Sequence, residues 1–132
     1  MKRNLRKKVF IVDDSPVVRE RLATLLSDLP SVEIVGQAEI AFEAISATRR
    51  LKPDVMLLDI SMPGGSGIHV LEMVKQERPA PLVIMLTNFA HEQYRQKCLQ
   101  LGADYFFDKS TEFEKVLSVL NPVPEATERP PS

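Results

Sequence analysis

Three uninterrupted apolar runs constrain this chain most: Val9-Phe10-Ile11-Val12, Val55-Met56-Leu57-Leu58 and Leu82-Val83-Ile84-Met85-Leu86. A strand with one wet face alternates apolar and polar residues, whereas a run that is apolar throughout has both faces covered, as in a parallel sheet between helical layers. Two weaker segments, Glu33 to Ala38 and Tyr105 to Phe107, bring the expected strands to five. Between the strands the apolar period becomes helical. Val18, Leu22, Leu25 and Leu29 share one face, behind Ser15 as N-cap and Pro16 at the first helical position. Ala41, Ala44, Ile45 and Thr48 form a second stripe, Ile68, Leu71 and Val74 a third, and Ala90, Tyr94, Cys98 and Leu101 a fourth. Phe113, Val116, Leu117 and Leu120 form a fifth, entered through Thr111-Glu112-Phe113-Glu114, which has the spacing of a capping box. Parallel neighbours need crossovers of helix length, so the alternation predicts an α/β fold with a five-stranded parallel sheet and five helices.

The 132 residues, 44% of them hydrophobic, suit one domain with a real core and leave no room for a second. Residues 1–6 read as a basic lead-in, 7–120 as the folded domain, and 121–132 as a Pro-rich disordered tail, with Pro122, Pro124, Pro130 and Pro131 and no apolar period. Seventeen Lys and Arg against eighteen Asp and Glu give a net charge of -1, which offers no field for nucleic acid or an acidic membrane. A single cysteine, Cys98, excludes an internal disulfide and a thiolate zinc cluster, and fits a reducing compartment. Cys98 is expected in the core, and His69 and His91 lack partners at metal-ligand spacing. No apolar stretch approaches the ~20 residues of a membrane span, and the basic opening MKRNLRKK leads into too few apolar residues for a signal peptide. The expected location is cytoplasmic.

Polar residues follow the apolar runs systematically. Asp13 and Asp14 follow the first strand, Asp59 the third and Thr87 the fourth, while Lys109 lies just beyond the fifth. In a parallel sheet these positions share the carboxyl edge, where doubly wound folds bind their ligands. Three carboxylates in one cleft repel one another unless a cation joins them, and an all-oxygen set selects a hard ion, Mg²⁺ above others. Mg²⁺ takes only one or two carboxylates directly, so another stays free to react. A carboxylate nucleophile beside Mg²⁺, with a hydroxyl and an ammonium nearby, suits attack on phosphorus to give an aspartyl phosphate. The loop Met62-Pro63-Gly64-Gly65-Ser66-Gly67 lets backbone pass close to that site.

FIVDDS (Phe10 to Ser15), LLDISMPGGSG (Leu57 to Gly67), IMLT (Ile84 to Thr87) and GADYFFDKS (Gly102 to Ser110) together make the chain resemble, from Lys7 to Leu120, the receiver domain of two-component response regulators. The resemblance is to a stand-alone, chemotaxis-regulator-like receiver. It implies a flavodoxin-like doubly wound sheet with strand order 2-1-3-4-5. It implies Asp59 as the phosphoacceptor, served by a histidine kinase or histidine phosphotransfer protein, with Asp13, Asp14, Asp59 and the Ser61 backbone carbonyl as Mg²⁺ ligands. Thr87 and Lys109 would contact the phosphoryl group, and Phe106 matches the switch aromatic that turns inward as Thr87 moves toward phosphate. The face of helix four, strand five and helix five would then change for a downstream protein partner or a second copy of the chain. No enzymatic activity is expected beyond the domain's own phosphorylation and dephosphorylation.

Three places depart from the commonest family pattern. Ser110 replaces the Pro after Lys109, Asn88 and Phe89 follow Thr87, and Phe106 lacks the hydroxyl of a switch Tyr. Phe89 is expected to shield an acyl phosphate from water. Alternatives at this point are a pseudo-receiver acting as a phosphate-independent interaction module, and a phosphate sink or shuttle in a phosphorelay. A Mg²⁺-dependent phosphatase is disfavoured, because Ser61 stands where an acid/base Asp would be needed.

Overall fold

The computed structural model describes residues 6–62 and 65–121. The expected tail from residue 122, the first five residues of the basic lead-in, and Pro63 and Gly64 lie outside the described residues. Five strands, β1 (Lys7–Val12), β2 (Val32–Ala38), β3 (Val55–Leu58), β4 (Leu82–Thr87) and β5 (Tyr105–Asp108), form one sheet in the order β2-β1-β3-β4-β5. Every neighbouring pair is parallel. Five helices connect and flank them: α1 (Pro16–Ser27), α2 (Ala41–Leu51), α3 (Gly67–Val74), α4 (Glu92–Gln100) and α5 (Lys115–Leu120). This is the flavodoxin-like α/β architecture in the expected strand order.

Two cores explain why the three central runs are apolar at every position. Phe10, Val12, Met56, Leu58, Val83 and Met85 point to the side covered by α2, α3 and α4, where they meet Ala44, Val70, Leu71 and Cys98. Val9, Ile11, Val55, Leu57, Ile84 and Leu86 point to the opposite side, against Leu22 and Leu26 of α1 and Val116 and Leu120 of α5. Successive residues alternate between faces, and both faces are dry. Full burial of one such aliphatic side chain contributes roughly 1.5–3 kcal/mol.

The helix starts divide into expected and unexpected cases. Ser15 caps α1, its Oγ accepting the Val18 N–H at 3.2 Å, with Pro16 at the first position. Ser66 caps α3 in the same way, accepting the Ile68 N–H at 3.0 Å. Helix α4 begins at Glu92, so Ala90 precedes it and packs on the core from the loop. The capping box expected over Thr111–Glu114 does not form. Helix α5 begins only at Lys115, with no cap bond from the Glu114 side chain, and just before it the Glu112 carboxylate accepts the Asp108 N–H at 2.9 Å and pairs with Lys115 Nζ at 2.8 Å. These charge-assisted bonds hold the segment after β5 in turns, so the helix starts beyond the point a Thr111 cap would set.

One feature of the β3–α3 connection is absent from any periodicity: Ser61–Met62 pairs antiparallel with Gly65–Ser66 in a two-residue ladder. The Gly67 N–H donates to the Ile60 carbonyl, and a Cβ on Gly67 would lie 1.8 Å from the Asp59 backbone oxygen. Only glycine fits there, which draws α3 against the chain leaving Asp59. Among the described residues no helix is long and apolar enough to cross a membrane.

Candidate functional site

Strands β1 and β3 are neighbours in register, Val12 opposite Leu58, so their next residues leave the sheet side by side. The Asp59 N–H extends the ladder by one bond, to the Val12 carbonyl at 3.1 Å. Ligand oxygens from Asp13, Asp14 and Asp59 consequently lie within 4.8 Å of one another. Asp13 and Asp59 are 2% and 5% exposed, whereas Asp14 faces solvent. Asp13 Oδ1 accepts the Ser15 N–H at 2.9 Å, a bond that also turns the chain into α1.

Lys109 arrives from the other end of the sheet. Its backbone N–H continues β5 onto the Thr87 carbonyl at 2.9 Å, and its Nζ reaches Asp13 Oδ2 at 2.8 Å and Asp59 Oδ2 at 3.1 Å. Asp59 Oδ1 is buried and has no hydrogen-bond partner among the described residues. Burial raises the Asp13 pKa; hydrogen bonds from Lys109 and Ser15 pull it down without cancelling the rise, and the Asp59 charge adds to it. Burial alone would lower the Lys109 pKa, but the Asp13 and Asp59 carboxylates outweigh it and hold the ammonium above its ordinary value.

Three clustered carboxylates against one ammonium leave negative charge uncompensated. An unpartnered buried carboxylate oxygen is costly in isolation. Both observations fit a hard divalent cation with oxygen ligands, and Mg²⁺ meets that chemistry. Ser61, whose carbonyl completes the expected ligand set, is exposed in the two-residue ladder two residues after Asp59.

Thr87 is fully buried at the end of β4, its hydroxyl accepting the Phe89 N–H at 3.0 Å. Phe89 is 46% exposed and lines a groove of about 290 Å³ with Ile60, Ser61, Met62, Ile68 and Tyr94. It borders the chain leaving Asp59. Phe106 is only 5% exposed and belongs to the α2–α3–α4 core, so the expected inward position is already occupied. A phenyl ring has no hydroxyl to keep in water, and burial favours it. Cys98 is core as expected, and burial pushes its thiol up to about 11.

Arg19 was not legible as a site residue. Its Nη1 donates to the Asp13 backbone carbonyl at 2.7 Å and lies 3.6 Å from Glu39 Oε1, bracing the acidic turn from the α1 side. The acceptor is main chain, which leaves no residue-type signal in the sequence.

The family model for the response regulator receiver domain matches residues 9–121. The chain is 39% identical over 114 residues to the transcriptional regulatory protein BtsR of Salmonella typhi, covering 86% of this chain and 46% of that protein. It is 29% identical over 116 residues to the response regulator GacA of Pseudomonas aeruginosa, covering 88% of this chain and 54% of that one. The chain thus spans about half the length of these relatives. Among solved structures it is similar to the CheX-CheY-BeF3-Mg+2 complex from Borrelia burgdorferi, with a TM-score of 0.75, 28% identity, and coverage of 86% of this chain and 88% of the other. With the acidic cluster at the carboxyl edge of a 2-1-3-4-5 sheet, these matches establish that the chain belongs to the response regulator receiver domain family.

Proposed function

We propose that this receiver domain takes a phosphoryl group on Asp59 from a phosphohistidine of a histidine kinase or phosphotransfer protein. The observation that carries this reading is the divided state of one buried carboxylate. Asp59 Oδ2 is held by Lys109, while Oδ1 has no partner among the described residues. An Asp59 oxygen attacks phosphorus, the P–N bond breaks, and the donor imidazole keeps the electron pair and takes up a proton. Asp13, Asp14 and Asp59, with the Ser61 carbonyl, would hold Mg²⁺, which supplies positive charge against the phosphoryl oxygens. Lys109 Nζ would contribute a second positive charge, and the Thr87 hydroxyl, which accepts the Phe89 N–H through a lone pair and keeps its proton, would donate to a phosphoryl oxygen.

The Borrelia CheY to which the chain is similar is in a complex with CheX, BeF3 and Mg+2, which supports the same chemistry here. The readout surface in this reading is the face of α4, β5 and α5. There Arg95 Nη1 donates to the Phe106 carbonyl at 3.3 Å, which ties α4 to the backbone of β5. A second protein, or a second copy of the chain, would read that face.

Intact-mass measurement after incubation with acetyl phosphate tests the reading. A single phosphoryl adduct that requires Mg²⁺ and is lost in Asp59→Asn is the expected result. No adduct, with a competent receiver labelled in parallel, would overturn it in favour of a phosphate-independent interaction module.

A further inference from the structure

Lys109 carries the only ammonium paired with the carboxylates among the described residues, yet it sits one residue beyond β5, where ladder hydrogen bonds end. The Lys109–Ser110 peptide is trans, the cis bond among the described residues being Arg78–Pro79, and no ring restrains the backbone after the lysine. Something else must hold the chain. Asp108 Oδ1 accepts both the Ser110 N–H at 2.8 Å and the Ser110 hydroxyl at 2.7 Å, closing a turn around Lys109. Asp108 and Glu112 then lock that turn to the next. The Asp108 N–H donates to Glu112 Oε1 at 2.9 Å, and the Glu112 N–H donates to the Asp108 carbonyl at 2.7 Å. Lys115 fixes the far oxygen of Glu112 at 2.8 Å.

We infer that Asp108, braced by Glu112, is a positioning residue that sets the direction of the Lys109 side chain toward Asp13 and Asp59. It touches neither carboxylate itself and acts only through the backbone of the lysine. The same bonds hold both acids below their ordinary pKa: chiefly the Ser110 hydroxyl for Asp108, and chiefly Lys115 for Glu112. Both are therefore charged acceptors at neutral pH, and charge-assisted bonds are the stronger kind.

The effect on phosphoryl transfer rests on the proposed role of Asp59, but the position of Lys109 does not. Amine footprinting with an N-hydroxysuccinimide ester of acetate, without Mg²⁺ or donor, reads Lys109 directly, with exposed Lys97 as reference in the same sample. In Asp108→Ala we expect Lys109 acetylation to rise, and Asp59 labelling by acetyl phosphate to slow, each by about tenfold, while the urea midpoint barely moves. Asp108→Asn keeps a side-chain oxygen in place and should stay within about twofold of wild type on both readouts. Unchanged Lys109 reactivity in Asp108→Ala would overturn the inference. So would an Asp108→Asn variant that loses reactivity control and stability together, as a merely structural role demands. If wild-type protein takes no phosphoryl group, the proposed function fails while the footprint still decides the positioning role.

Discussion

Lys109 pairs with one oxygen of Asp59 and leaves the other alone: Nζ lies 3.1 Å from Oδ2, while Oδ1 is buried without a partner among the described residues. Asp59 also sits beside Asp13 and Asp14, whose oxygens lie within 4.8 Å. Converting Asp59 to Asn removes one of three like charges and keeps the shape of the side chain. Metal-free Asp59→Asn should be more stable than wild type by about 1 kcal/mol, because it relieves the repulsion among the three carboxylates. Urea unfolding in EDTA, followed by circular dichroism because the chain has no Trp, checks this; a destabilised variant would contradict it.

Removing the cation has the opposite sign. Lys109→Met would strand the Asp13 and Asp59 carboxylates in a nearly dry setting, and should cost roughly 3 kcal/mol at pH 7 without metal. Added MgCl2 should restore part of that loss, visible as a rise in the urea midpoint larger than the one wild type shows.

Gly67 permits the approach of α3 to the Asp59 carbonyl. Its missing Cβ would sit 1.8 Å from that oxygen, so Gly67→Ala forces backbone to move and should cost about 3 kcal/mol. At Gly36 the nearest atom to an added Cβ is the flexible Leu51 Cδ1 at 3.0 Å, and Gly36→Ala should cost about 1 kcal/mol or less. Equal midpoint shifts would refute the distinction.

Arg19 steadies the acidic turn through the Asp13 carbonyl at 2.7 Å. Arg19→Ala should weaken Mg²⁺ binding by roughly fivefold, the scale of one hydrogen bond, when titrated by calorimetry. Arg19→Lys retains a donor and should recover part of the affinity. A variant that binds Mg²⁺ as wild type does would remove Arg19 from the site.

Cys98 supplies a pH signature. Its thiol titrates near 9.0 in the unfolded chain and near about 11 in the fold, because burial disfavours the thiolate. Above pH 9 the unfolded chain releases a proton that the fold retains, so stability falls as pH rises, with the loss spread between pH 9 and about 11. At pH 10 the thiol accounts for about 1 kcal/mol. Lys109, also raised, adds an alkaline loss common to wild type and Cys98→Ala. The difference between those two proteins in urea at pH 8 and pH 10 isolates the thiol; parallel pH dependences would exclude it.

Most of the fold was legible because its determinants are local. The apolar runs that became β1, β3 and β4 are read residue by residue, and so are Ser15 and Pro16 at the start of α1. The acidic site was legible for a related reason: residues directly after strands of one parallel sheet share an edge whatever the helices do. Where two local signals competed, sequence reasoning failed. Thr111 and Glu114 satisfy a capping pattern on paper, but the bonds of Glu112 to the Asp108 amide and the Lys115 ammonium hold that segment in turns, and α5 starts only at Lys115.

By itself, then, the chain's periodicity determined an α/β domain and the edge at which Asp13, Asp14, Asp59, Thr87 and Lys109 gather, since strand and helix periods are properties of neighbouring residues. Only the tertiary structure decided that Lys109 would close on Asp59 from fifty positions away, that Arg19 would grip a main-chain carbonyl, and that Phe106 would lie inside the core. Those relationships depend on which distant segments pack together and on backbone groups that every residue shares, neither of which leaves a mark in the local pattern.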